Sequence, residues 1–127
     1  MRVSLLASLV LLTAVGCGHS ILSSSTSLDG QWAWQFNANP AGSSVSLSLT
    51  SAGSTVSGTG TICGVGPACS PGAVTITGQS TGTSVQLTIR DGVGFVATYT
   101  GHFMGPNELE GTWVEGSASN VVIFYRK

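Results

Sequence analysis

Charge is what this sequence has least of: four Lys or Arg and five Asp or Glu in 127 residues, 7% against about 25% in a typical soluble domain. Such a surface carries no row of cations to neutralise phosphates, which argues against nucleic-acid binding and against an electrostatic hold on anionic lipid. Histidine is scarce too. His19 and His102 stand beside three cysteines without the spacing of a four-ligand set, so no metal site is expected. No Gly-x-Ser-x-Gly elbow presents a serine as a nucleophile, and Gly58 and Gly60 precede no helix start that would make a phosphate loop. No catalytic residue and no cofactor pattern emerge. Apolar runs stop short of the roughly 20 residues a membrane-spanning helix needs, and no long stretch has helical spacing.

What the sequence does have is alternation. Hydrophobic residues make up 42% of the chain and fall in turn with Ser and Thr, the period-two pattern of half-buried strands. Gln31 to Phe36 sets Trp32, Trp34 and Phe36 against Gln31, Ala33 and Gln35, and Asn39-Pro40-Ala41-Gly42 turns the chain. Ser44 to Ser51 shows the pattern most cleanly, with Val45, Leu47 and Leu49 opposite a row of hydroxyls. Thr55 to Ile62 returns with Gly58 and Gly60 on its apolar face, which points to crowding or bending there. Ala73 to Ser80, the segment bearing Val85, Leu87 and Ile89, the segment bearing Phe95, Ala97, Tyr99 and Gly101, Glu108 to Trp113, and Val121 to Arg126 complete eight strands.

Short connections make successive strands antiparallel neighbours, and a chain with so little charge to guard open sheet edges is best served by closure. The expected fold is therefore all-β: an eight-stranded antiparallel up-and-down meander closed into a small barrel. Its interior is expected to hold Val45, Leu47, Leu49, Val56, Ile62, Val74, Ile76, Val85, Leu87, Ile89, Phe95, Tyr99, Leu109, Trp113, Val121 and Ile123. A barrel of this strand number either just fills with side chains or admits one small ligand.

Before the strands, Met1-Arg2, the apolar Val3 to Val15 and the small-residue site Ala14-Val15-Gly16-Cys17 resemble a bacterial lipoprotein signal peptide. The resemblance implies cleavage after residue 16, acylation of Cys17 and attachment to the membrane through that anchor. Gly18 after the cysteine resembles lipoproteins sent on to the outer membrane, where the host has one. The expected organisation is a signal peptide over 1–16, the lipidated cysteine and a Ser-rich flexible tether over 17–27, and the barrel domain over 28–127. Outside the cytoplasm the remaining pair, Cys63 and Cys69, is expected to form a disulfide.

Four segments of the domain are similar to landmarks of the avidin and lipocalin (calycin) group of barrels: Leu28-Asp29-Gly30-Gln31-Trp32, Ser57-Gly58-Thr59-Gly60-Thr61, Leu109-Glu110-Gly111-Thr112-Trp113 and Val121-Val122-Ile123-Phe124-Tyr125-Arg126. The resemblance supports the architecture. Of that group's biotin contacts only the late-strand tryptophan is matched, at Trp113; Trp34, Gly60, Ile62 and Val122 stand where polar partners of the urea ring would be.

Trp34, Tyr99 and Trp113 are the candidate ligand contacts, since aromatic walls suit flat or apolar guests, while Trp32 is expected to plug the barrel floor. His102 reads as an exposed histidine, and Glu108 and Glu110 as solvated carboxylates on one outward strand face. The expected protein is a non-catalytic, lipid-anchored envelope lipoprotein whose barrel binds an apolar small molecule or a partner protein. The alternative is a structural or interaction module with a solidly packed barrel.

Overall fold

Every alternating segment pairs with its chain neighbour in the computed structural model, which describes residues 26–35, 44–64 and 69–127. The strands are β1 (Gly30–Gln35), β2 (Ser44–Ala52), β3 (Thr55–Cys63), β4 (Gly72–Thr81), β5 (Ser84–Arg90), β6 (Val96–Gly105), β7 (Glu108–Glu115) and β8 (Ala118–Arg126). All pairings are antiparallel, and β1 meets β8 at Trp32↔Arg126 and Ala33↔Tyr125, so the meander closes into a barrel in strand order. Closure joins the two terminal strands over a short seam, so among the described residues no strand is left as a free outer edge along its whole length.

Three of the hairpins turn on two residues led by glycine, Gly53, Gly82 and Gly116, each with φ near +60°. That conformation is open to glycine at little cost and gives the turn a twist that matches the strands it joins. Tight turns then fix register. Leu47, Leu49, Ile76, Leu87, Ile89 and Leu109 are buried inside, and among the described residues no polar or charged one is buried with them. The interior glycines are sites of close approach: a Cβ on Gly60 would lie 2.9 Å from Leu47 Cδ2, and one on Gly78 2.9 Å from Leu87 Cδ2. Each missing side chain is the space its large neighbour occupies.

One strand faces the other way from expectation. Val122 and Phe124 are buried, whereas Val121 is 73% exposed and Ile123 only half-buried. The Gly116-Ser117 turn pairs Glu115 with Ala118, which places Gly111 opposite Val122 and Leu109 opposite Phe124. Inward residues of β7 thereby face inward residues of β8. The run Val-Val-Ile-Phe-Tyr is apolar at every position, so its own pattern cannot choose a face and the turn chooses for it. Phe95 is likewise partly rather than fully buried, lying just before β6 begins and packing against the core from the barrel end.

Gln35 closes β1, and Phe36 and the turn expected at 39–42 lie outside the described residues, as do the expected leader, Cys17 and most of the expected tether. The last tether residue belongs to the fold: the Ser27 carbonyl accepts a hydrogen bond from Arg126 Nη2, and the Ser27 hydroxyl accepts one from the Asp29 N–H.

Candidate functional site

Up-and-down connectivity gives the barrel two unlike ends. At one, the chain enters through Leu28 and leaves through Arg126. Trp32 is 1% exposed and its indole N–H donates to the Leu28 carbonyl at 2.8 Å, so the ring lies across the interior as a plug. The Arg126 side chain covers it and donates to the carbonyls of Ser27, Asp29 and Pro106. Asp29 in turn accepts the Ser51 N–H. That hydrogen bond, then the Ser27 hydroxyl, with smaller contributions from the Ser51 hydroxyl and the Arg126 charge, hold the Asp29 carboxyl below the usual carboxylate range. A hollow of about 730 Å³ opens here beside Phe103, Met104 and Pro106, bordered by Thr26 where the described chain begins. Its charged group, Arg126, is committed to holding the ends of the chain together.

The opposite end is a mouth. A cavity of about 280 Å³ is lined by Trp34 from β1, Trp113 from β7 and Phe95 from the β5–β6 connection, with Glu115 and Asn120 at its rim. Cys63, Gly64, Ser70 and Pro71 form another wall. The Cys63–Cys69 disulfide is formed and ties that wall. The two indoles sit with ring centroids 6.3 Å apart, and each lies 6.5 Å from the Phe124 ring. Trp34 is half-buried and Trp113 4% exposed, so the first meets an entering molecule and the second backs it. The volume lies at the lower edge of the range for small-molecule pockets and suits a compact guest.

Of the three residues singled out from sequence, Trp34 and Trp113 come together at this mouth and Tyr99 does not. Tyr99 is fully buried, edge-on to Phe124 with centroids 5.1 Å apart. A Cβ on Gly101 or on Gly111 would stand 2.8 Å from the Tyr99 ring, so the phenol occupies the trough that those paired glycines leave. Among the described residues its hydroxyl reaches only the Val122 carbonyl, at 3.4 Å. Burial pushes the phenol above the ordinary tyrosine range, and the Glu110 charge adds to the shift.

Sequence reasoning passed over Glu115 and Asn120 as site residues. The signal for Glu115 was present: it lies two residues beyond Trp113 and therefore shares the inward face of β7. Asn120 was hidden by the ambiguous face of β8; it pairs with Trp113 across the ladder. His102 is exposed and stands opposite Glu110 in the β6–β7 ladder, a neighbour distant enough in sequence to escape notice. Both lie outside the mouth. Among the described residues no group of three or more His, Cys, Asp or Glu converges as metal ligands would.

No family model and no curated protein matches the chain. Among solved structures it is similar to a redesigned β-barrel, mFAP1, determined bound to DFHBI, at 12% identity with a TM-score of 0.53. The match covers 79% of this chain and 94% of that one. At this identity the likeness shows a shared small-barrel fold.

Proposed function

We propose that this protein is a lipid-anchored lipoprotein of the bacterial cell envelope, without catalytic activity, whose barrel mouth binds a compact, flat apolar molecule. The observation that carries the binding reading is the cavity of about 280 Å³ walled by Trp34, Phe95 and Trp113. Aromatic walls with a few polar groups at the rim are the usual composition of a small-molecule site. The mFAP1 barrel holds its ligand within a comparable fold, which lends the reading support from architecture. Anchoring rests on the Ala14-Val15-Gly16-Cys17 pattern after a short apolar run, and the exposed Ser46, Ser48, Thr50, Thr59 and Thr75 of the outer wall suit a barrel standing in water beside the membrane.

A second reading, a structural module with no ligand, draws on the dense interior in which Trp32, Tyr99 and Phe124 are all fully buried. Titrating the detergent-extracted protein with 1-naphthalenemethanol while following the indole N–H resonances separates the two. Mouth binding shifts Trp34 and Trp113 and leaves Trp32, at the closed end, in place; three unmoved signals favour the packed module. Mass spectrometry of the N-terminal peptide tests the anchor: an acylated Cys17 is expected, and a free thiol there overturns it.

A further inference from the structure

Glu115 is a carboxylate that the ladder turns toward the mouth. It shares the inward face of β7 with Trp113, stands at the cavity rim beside Asn120, and takes part in no hydrogen bond or ion pair among the described residues. The other acid at this end, Asp91, is already occupied: its Oδ1 accepts the N–H groups of Val93 and Phe95, at 2.9 Å each. Glu108 and Glu110 lie on the opposite face of β7 from Trp113. Nor does a cation of the described chain serve Glu115. Arg126 and Lys127 are at the closed end, and Arg90 points outward from β5, on the face opposite the buried Ile89.

A negative charge beside indole and phenyl walls has a definite complement. Ring faces carry negative potential and attract ammonium groups, a carboxylate adds a charge-assisted hydrogen bond, and a recess with apolar walls screens both less than open water does. The same arrangement repels anions. Resting on the mouth being a ligand site, we infer that it selects organic cations: an amine or quaternary ammonium carried on a compact apolar body, the charge at Glu115 and Asn120 and the body against Trp34 and Trp113.

Three probes of similar shape test this on the mature lipidated protein in detergent micelles: protonated 1-(aminomethyl)naphthalene, neutral 1-naphthalenemethanol and anionic 1-naphthaleneacetate. Free ligand is measured by equilibrium dialysis and site occupancy by the Trp34 and Trp113 indole signals. The amine is expected to bind about 10-fold more tightly than the alcohol at pH 7, and the acetate more weakly than either. Glu115→Gln is expected to remove most of the amine's advantage, leaving the smaller part that the ring faces supply, while Glu110→Gln, on the outer face, keeps the full preference. Equal binding of amine and alcohol to the unmodified protein overturns the cation selectivity and leaves the apolar site standing, and a preference undiminished by Glu115→Gln overturns the part given to Glu115. Indole signals unmoved by all three probes overturn the site itself and the selectivity with it.

Discussion

The guanidinium of Arg126 lies over the indole of Trp32, with Cζ 4.4 Å from the ring centroid. The two residues sit opposite each other in the β1–β8 ladder, the shortest seam of the barrel and the one that joins the ends of the chain. A planar cation stacks on an aromatic face and still offers N–H groups at its edge, which is how one side chain covers the plug and also binds the carbonyls of Ser27, Asp29 and Pro106.

Arg126→Ala removes that clasp. The expected loss is about 2 kcal/mol, from one cation–π contact and several charge-assisted hydrogen bonds on a partly exposed side chain, read as a fall in the denaturant midpoint. Arg126→Lys restores little, because an ammonium cannot stack and fork at once. A lysine variant as stable as the parent would show that charge alone holds the seam.

The facing of β8 is tested by paired threonine substitutions. Val122→Thr puts a hydroxyl into a fully buried site and is expected to cost about 1 to 3 kcal/mol, whereas Val121→Thr on the exposed side is expected to stay within about 0.5 kcal/mol. Comparable losses at both sites, or the reverse order, would contradict the register set by the Gly116-Ser117 turn.

Tyr99 gives the barrel an alkaline limit. Its phenol is held above the ordinary range, so below pH about 10 folded and unfolded chains are both protonated and the group has no effect. Above that, the unfolded chain releases the proton while the folded one keeps it, and stability falls as pH rises. Denaturation midpoints from pH 8 to 11 are expected to decline in the parent and to flatten in Tyr99→Phe, whose ring still fills the trough over Gly101 and Gly111.

Breaking the Cys63–Cys69 bond frees one wall of the mouth. The double Cys63→Ser, Cys69→Ser variant is expected to lose roughly 2 kcal/mol of stability by the chain-entropy estimate for so short a loop. Weaker 1-naphthalenemethanol binding should accompany the loss, since Cys63, Gly64, Ser70 and Pro71 border the cavity. Unchanged binding in a folded variant would mean that the indole walls alone define the site.

Alternation of apolar residues with mostly polar ones was enough to determine the strands from β2 through β7 and the buried face of each, because a half-buried strand exposes its pattern residue by residue. Trp32 as a plug, the Cys63–Cys69 bond and the closure of β1 on β8 were legible for similar reasons: an aromatic at a strand start, two thiols near in sequence, and too little charge to guard an edge. Tertiary structure decided the rest. In Val-Val-Ile-Phe-Tyr no residue is polar enough to mark the outside, so the facing of β8 came from a turn and its partner strand. Tyr99 satisfied the inward pattern as well as Trp113 did, yet only the pairing of Gly101 with Gly111 settled that its ring lies down in the core while the indoles of Trp34 and Trp113 meet at the mouth. Glu115 and Asn120 became neighbours of those rings through contacts between strands, which no pattern along a single strand records.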